Sequence, residues 1–153
     1  MSTLFRQCVF TTTIEGTTPM LRGMSTVSYY ADDVAAAGRW YAEFLGTEPY
    51  FSREVQGSPA YLEFRIGDYE HELGIIDRRF APPGASNSPG GEIVFWHVDD
   101  LELTMKRLLE LGATEYQPIT EHGPGFVTAV VVDPFGNLLG VMTNAHYIEV
   151  LGE

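Results

Sequence analysis

The 153-residue chain has a single cysteine and few basic residues. Cys8 has no second cysteine for an internal disulfide, and nothing in the pattern places a base beside it, so we expect a buried or otherwise unremarkable thiol. Nine Lys and Arg residues stand against 21 Asp and Glu, a formal net charge of −12. This charge repels phosphate backbones and anionic lipid, so we predict no nucleic-acid partner and no membrane partner.

Long hydrophobic runs are also missing. No stretch approaches the roughly 20 apolar residues of a membrane-spanning helix, and residues 1–20 have no apolar run of signal-peptide length. The hydrophobic fraction of 44% and the charged fraction of 20% are typical of globular proteins. We therefore predict one folded, cytoplasmic domain with a sizeable core.

Turn-forming residues divide the chain. Residues 1–20 form a predicted N-terminal extension, in which residues 8–14 are a candidate edge strand. Residues 81–91 (APPGASNSPGG) are rich in residues that interrupt secondary structure, and they predict a linker between two halves. The main domain is predicted over residues 21–153, with module one at about 24–80 and module two at about 92–145.

Each half begins with a strand that leads into a helix. In the first half a strand over residues 25–30 is followed by an Asp pair, a helix over residues 34–45 and a terminal Gly46. In the second half a strand over residues 92–98 is followed by another Asp pair and an amphipathic helix over residues 101–111. In the first half, strands over residues 60–65 and 70–76 flank a Gly-Asp turn.

The two halves are copies of one supersecondary unit. The Asp pairs at residues 32–33 and 99–100 are 67 positions apart, and LGII at residues 73–76 corresponds to LGVM at residues 139–142. A repeated unit of this kind predicts an α+β fold, in which two βαβββ modules form a curved mixed sheet around a cleft. Concave sites of this kind bind small molecules.

Three stretches carry a family resemblance: WY and LG in the first helix, VDDLELTMKRLLELGA in the second half, and VVDPFGNLLGV at residues 131–141. They resemble the vicinal oxygen chelate superfamily, which includes glyoxalase I, fosfomycin-modifying enzymes, extradiol dioxygenases and bleomycin-binding resistance proteins. The resemblance covers residues 25–142, and DPFGN, itself turn chemistry, is its most specific part. It implies a glyoxalase-like fold and a homodimer.

The resemblance also implies four metal-ligand positions, and none of them holds a suitable ligand. Metal-dependent members place a His in the first strand of a module and a Glu in its last strand. The corresponding residues are Thr26 and Ile93 in the first strands, and Gly74 and Gly140 in the last. Only Thr26 offers a donor, and a weak one, so we predict no metal and no cofactor. The metal-dependent activities of the family therefore do not carry over.

Period-2 alternation from these four positions predicts which side chains face the cleft. Ile76, Ile93 and Leu138 share this parity, and the two glycines are expected to leave space. Such a mixture suits an organic molecule better than an ion. The predicted ligand-binding set contains hydroxyl groups, apolar side chains, one imidazole and one carboxylate: Thr26, Ser28, Tyr30, Glu72, Gly74, Phe95, His97, Gly140 and Met142.

Glu72 and His97 are the only ionisable pair in that set, so they are the first candidates for acid–base catalysis. Residues at such positions are more often structural than catalytic. In that case Glu72 is hydrogen-bonded or solvated at the mouth of the cleft, and His97 is a strand-end histidine whose ring nitrogens are hydrogen-bonded. By parity His71 points away from the cleft, and His122 falls in a glycine-rich loop. His146 lies beyond the last repeated strand, in a tail or dimer contact. A minority alternative is a displaced metal site drawn from Glu72, His97, His122 or His146.

Three functions remain open at this point. We favour a metal-free protein that binds an organic small molecule in the cleft and sequesters a drug or metabolite. The alternative is a glyoxalase-like lyase or isomerase, or another enzyme acting on a carbonyl-type substrate, with Glu72 or His97 as general base. The third is an interaction protein without a small ligand. Metal analysis and the kinetics of Glu72→Gln and His97→Ala would separate the first two.

Overall fold

The computed structural model describes residues 14–17 and 20–153. Cys8 and nearly all of the candidate edge strand lie outside the described residues. Within them, no helix is long and apolar enough to cross a membrane.

Module one is a four-stranded mixed sheet with one helix on it. Its strands lie in the order β1-β4-β3-β2, with β1 parallel to β4 and the other neighbours antiparallel. A 3₁₀ turn over Arg78–Phe80 follows the last strand. The elements are β1 (Thr26–Ala31), α1 (Val34–Leu45), β2 (Phe51–Val55), β3 (Ser58–Ile66) and β4 (His71–Asp77).

Module two repeats this arrangement in the order β5-β8-β7-β6, with β5 parallel to β8. The predicted α+β fold of two βαβββ modules is therefore confirmed. Its elements are β5 (Phe95–His97), α2 (Leu101–Glu110), β6 (Thr114–Gly123), β7 (Phe126–Val132), β8 (Leu138–Asn144) and a C-terminal α3 (Ala145–Leu151).

Local sequence explains the helix boundaries. The carboxylate of Asp33 accepts the backbone N–H of Ala36, and that of Asp100 accepts the N–H of Leu103, both at 2.9 Å. These bonds satisfy donors that the first helical turn leaves free. At the other end of α1, Gly46 takes the left-handed conformation with φ 70°, which glycine adopts without steric cost.

The core lies where the helices cover one face of each sheet. It joins both modules into one cluster, and each fully buried large side chain contributes about 1.5–3 kcal/mol. We call the opposite faces, which neither α1 nor α2 covers, the helix-free faces. The largest side chains buried in this cluster are Tyr41, Phe64, Leu73, Ile75, Leu108, Leu139, Val131 and Val141.

The DPFGN turn fastens module two to module one. The buried carboxylate of Asp133 accepts the backbone N–H groups of Phe135 (2.9 Å) and Asn137 (2.8 Å), and it accepts the hydroxyl of Tyr41 on α1 at 2.5 Å. The Asn137 side chain pairs with the free edge of β1, where it accepts the Tyr30 N–H (3.3 Å) and donates to the Tyr30 carbonyl (3.0 Å). The turn therefore fixes how the two modules lie against each other.

Two further contacts join module one to module two. The indole N–H of Trp40 donates to the carbonyl of Leu111 at 2.8 Å, and Arg107 pairs with Glu43 at 3.0 Å on the surface. An exposed ion pair adds little stability, so the partly buried Trp40 bond and the shared apolar core contribute more to the contact between the two helices.

Candidate ligand site

The strand register places the predicted ligand-binding residues on the two helix-free faces. In module two, Phe95 lies opposite Gly140 and His97 lies opposite Met142. In module one, the predicted residues of β1 and β4 are paired directly: Thr26 with Glu72, Ser28 with Gly74, and Tyr30 with Ile76.

The helix-free face of module one carries two carboxylates held by hydroxyl groups. Glu63 accepts hydrogen bonds from the hydroxyls of Tyr50 and Tyr61. Glu72 accepts one from Thr26 at 2.8 Å, and its other oxygen lies 3.2 Å from the Tyr50 hydroxyl. Each of the four carboxylate oxygens thus lies against a hydroxyl, and the single proton of Tyr50 is shared between two of them. Hydroxyl groups of this face thus satisfy both carboxylates.

Both tyrosines stay protonated at neutral pH. The hydrogen bond to Glu63 is the main reason that the pKa of Tyr50 rises to about 12. Burial, followed by the bond to the same carboxylate, raises the pKa of Tyr61 well above its ordinary value. Their hydroxyls therefore remain hydrogen-bond donors to the carboxylates at physiological pH.

A second candidate region is a pocket of about 260 Å³ between the modules, which we call the intermodule pocket. Met24, which precedes β1, and Tyr147 of α3 form part of its lining. A neighbouring apolar cavity of about 120 Å³, lined by core residues, also has Trp96 and His97 in its wall. The main walls are rings and a methionine of module two together with polar groups of the β3–β4 turn: Phe95, Trp96, His97, Met142, Asp68 and His71.

His97 is held rigidly in this wall. Its side chain is only 11% exposed, and its Nδ1 accepts the backbone N–H of Asn144 at 3.2 Å. This bond places the proton of the neutral ring on Nε2, which lies 3.6 Å from the Asp99 carboxylate. The imidazole stacks on the ring of Tyr147, with centroids 4.7 Å apart and planes inclined by 13°.

Tyr147 is held from three directions. Besides the stacking on His97, its hydroxyl donates to Asp68 at 2.8 Å, and its ring meets Tyr69 edge-on with centroids 5.9 Å apart. Burial, with a further contribution from Asp68, raises the pKa of Tyr147 to about 12. The C-terminal helix thus places a neutral phenol against the imidazole of His97.

A third cavity, of about 470 Å³, lies between β1 and the linker that follows module one. Ser28 and Tyr30 line it together with small linker residues such as Ser86 and Gly90. The guanidinium of Arg78 is already occupied there by Asp32 and two backbone carbonyls. This linker pocket is larger than the intermodule pocket, but its walls offer fewer rings.

The comparison with protein families identifies this arrangement. A family model described as the Glyoxalase/Bleomycin resistance protein/Dioxygenase superfamily, which is the vicinal oxygen chelate superfamily, matches residues 23–141. The chain belongs to this superfamily. A search among curated proteins finds no match.

Solved structures share the superfamily fold with this chain at low identity. A glyoxalase-related enzyme from Fulvimarina pelagi is 20% identical with a TM-score of 0.64, over 81% of this chain and 89% of that one. A superfamily member from Sphaerobacter thermophilus is 19% identical with a TM-score of 0.64, over 81% and 98%. A bleomycin resistance determinant encoded on the transposon Tn5 is 22% identical with a TM-score of 0.56, over 80% and 98%. Likenesses this distant establish the fold alone.

At Gly74 in β4 and Gly140 in β8, which the sequence predicts to occupy ligand positions of the superfamily, neighbouring side chains fill the space. A Cβ on Gly74 would lie 2.9 Å from the ring and the hydroxyl oxygen of Tyr61. A Cβ on Gly140 would lie 2.7 Å from Phe95, 2.7 Å from the Val94 carbonyl and 2.9 Å from Ile93. The expectation that these glycines leave open space is therefore wrong, because bulky neighbours on the same faces occupy it.

The predicted site residues are divided among different surfaces. Thr26, Glu72 and Gly74 lie on the helix-free face of module one, whereas Ser28 and Tyr30 line the linker pocket. Phe95, His97 and Met142 line the intermodule pocket, and Gly140 lies beneath Ile93 and Phe95. Glu72 therefore does not line the intermodule pocket, which has His97 in its wall.

Among the other histidines, His71 and His122 lie differently from their predictions, whereas His146 lies beyond the last repeated strand, as predicted. His71 was predicted to point away from the cleft, but it lines the intermodule pocket. It begins β4 directly after the β3–β4 turn, which forms part of the wall of that pocket. His122 belongs to β6 and bonds Thr128 at 2.8 Å, and His146 packs edge-on against Phe126. The described part of the chain brings together no group of three or more His, Cys, Asp or Glu residues suited to a metal.

Sequence reasoning missed several residues of these surfaces. Glu63 lies directly opposite Gly74, so the alternation of β3 carries the signal, but it needs the β3–β4 register. The same holds for Tyr61. Asp68 and Tyr147 come together over a separation of 79 residues, and no local pattern indicates that contact.

Proposed function

We propose that the chain binds a small aromatic organic molecule in the intermodule pocket and sequesters it without a metal ion. The observation that carries this proposal is the composition of the pocket, in which the rings of Phe95, Trp96 and His97 stand beside the polar groups of Asp68 and His71. Apolar walls with a few polar groups are typical of sites for organic ligands. The formal charge of −12 favours neutral or cationic ligands over anions.

Two observations support metal independence. The superfamily's ligand positions hold Thr26, Ile93, Gly74 and Gly140, and large neighbours fill the space beside both glycines. The nearby carboxylates of module one already lie against hydroxyl groups at every oxygen. A cation would have to displace these hydroxyls, and it would find no imidazole in that network.

Indole, a neutral aromatic probe, tests this function by isothermal titration calorimetry with and without EDTA. We expect saturable binding that EDTA leaves unchanged, in protein whose elemental analysis shows no stoichiometric transition metal. Each of Phe95→Ala and His97→Ala removes one ring of the wall and should weaken binding about three- to tenfold. Ser86→Ala, in the linker pocket, is the matched control. Binding that EDTA abolishes, or that neither wall variant weakens, would count against the proposal.

We further propose that the protein acts as a cytoplasmic homodimer, as the superfamily resemblance implies. Large apolar side chains on the strands and turns support an interface, among them Phe51 (47% exposed), Phe80 (54%) and Ile119 (41%). A single cysteine accords with a reducing compartment. Light scattering after size-exclusion chromatography measures the oligomeric state, and a monomer at micromolar concentration would contradict it.

One observation favours the enzymatic alternative. Glu72 is only partly buried, and Thr26 and Tyr50 orient its carboxylate on an open face, as a general base requires. Turnover of a carbonyl probe such as methylglyoxal, lost in Glu72→Gln and kept in His97→Ala, would assign the activity to this face. Absence of turnover in the wild-type protein would leave the binding function.

A further inference from the structure

Tyr147 lies in the intermodule pocket in the way that a bound phenol would. Its ring stacks on His97 and meets the edge of Tyr69, and its hydroxyl donates to Asp68. Apart from its attachment to α3, this group is a small planar aromatic with a ring partner on one face, another at its edge and an acceptor at its hydroxyl. The pocket therefore presents a complete set of contacts for a phenol.

The helix that carries Tyr147 is held by few contacts. α3 has seven residues, and none of them is buried. Its other attachments include the cap residue Asn144, the bond from the Ala145 N–H to the Gly125 carbonyl (3.0 Å) and the packing of His146 on Phe126. A helix this short is not stable without tertiary contacts. Loss of the Tyr147 contacts should therefore release it.

We propose that α3 is a lid held shut by Tyr147, and that the ligands of the intermodule pocket are neutral phenols that displace this side chain. In the liganded protein the phenol ring stacks on His97 and its hydroxyl donates to Asp68, while α3 moves away. This inference rests on the proposed binding function and adds to it the class of ligand and the means of entry. A phenolate is disfavoured, because the acceptor is a carboxylate and the protein is strongly acidic.

The first test follows α3 in the wild-type protein by hydrogen–deuterium exchange. Saturating p-cresol should accelerate exchange of the amides of residues 145–151 by at least tenfold. The same amides should not respond to 4-methylcyclohexanol, which has the hydroxyl but no planar ring. Saturable binding of p-cresol with unchanged exchange in α3 would overturn the lid.

The second test removes the contacts of Tyr147 one at a time. Tyr147→Phe keeps the ring and leaves no cavity. Any gain in p-cresol affinity in this variant therefore measures the loss of the hydrogen bond from Tyr147 to Asp68. We expect about a fivefold gain, the factor that corresponds to the net contribution of one hydrogen bond that is exposed to solvent. Tyr147→Ala should bind p-cresol more tightly still. Asp68→Ala removes the acceptor of the phenol hydroxyl, so it should abolish the preference for p-cresol over toluene. Tyr116→Phe, which removes an exposed hydroxyl elsewhere, is the control.

These outcomes separate the lid from the binding function. If indole binds and the wall variants weaken it, but Tyr147→Phe binds p-cresol no more tightly than the wild-type protein, the pocket is a binding site and the lid inference fails. If neither indole nor p-cresol binds the wild-type protein or Tyr147→Ala, while circular dichroism shows both to be folded, both proposals fail. Faster α3 exchange with p-cresol, together with tighter binding by Tyr147→Phe, supports both.

Discussion

Replacing Tyr41 with Phe tests how the two modules are joined. The substitution keeps the buried ring and removes only the hydroxyl, which donates to Asp133 at 2.5 Å. Asp133 is 3% exposed, so water cannot replace the lost donor. Only the more distant amide of Asn137, at 3.3 Å, remains near that carboxylate oxygen. A hydrogen bond to a charged group contributes about 1.5–3 kcal/mol, so the free energy of unfolding should fall by about 2 kcal/mol.

Urea unfolding measures this loss, with a matched control. A change of this size should lower the Tm by roughly 4–8 °C in a domain of this length. Tyr116→Phe removes an exposed hydroxyl from β6 and should change neither quantity. Asp133→Asn combined with Tyr41→Phe should be less destabilising than the sum of the single variants, because both remove the same bond. A Tyr41→Phe protein within about 0.5 kcal/mol of the wild type would refute the role of this bond.

Three further predictions concern the contact between the two modules, the glycines of the last strands and the ionisation of the tyrosines. Asn137→Ala removes two bonds to the edge of β1 and should cost about 2 kcal/mol, with faster hydrogen exchange at the Tyr30 amide. Gly140→Ala should cost about 1–3 kcal/mol in thermal unfolding, more than Gly74→Ala, because its Cβ meets the Val94 backbone as well as side chains; Gly90→Ala, which meets nothing within 4 Å, is the control. Absorbance at 295 nm should show five tyrosines ionising above pH 10. Since their pKa values are raised in the folded state, their contribution to stability is complete below pH 10 and is lost as the pH rises toward 12 and beyond. A titration complete near pH 10 would contradict the structure at Tyr29, Tyr41, Tyr50, Tyr61 and Tyr147.

Features that depend on neighbouring residues were predictable from the sequence. The caps Asp33 and Asp100 bond amides three residues ahead, so the local pattern contains both partners. The repeat predicted the order of the main strands and helices. The strand expected over residues 92–98 is shorter in the structure, because regular pairing with β8 covers only Phe95–His97, although the Val94 carbonyl already accepts the N–H of Gly140.

The candidate site was less predictable because it depends on distant contacts. β2 is largely exposed and lacks clear alternation, and α3 begins where the repeat ends. Alternation placed Phe95, His97 and Met142 on one face, but it could not show that module one's β3–β4 turn and Tyr147 enclose them. Distances between such segments follow from the packing of the modules, which no local pattern records.

The ring of Tyr61 over Gly74 limits how this protein can change. A Glu at position 74 would meet Tyr61 at once, and a smaller residue at position 61 would remove a hydroxyl donor from Glu63. Each substitution alone would create a clash or remove a hydrogen bond, and only the two together would make room for a carboxylate at position 74. Positions 61 and 74 are therefore coupled, and a change at either one is tolerated only with a matching change at the other.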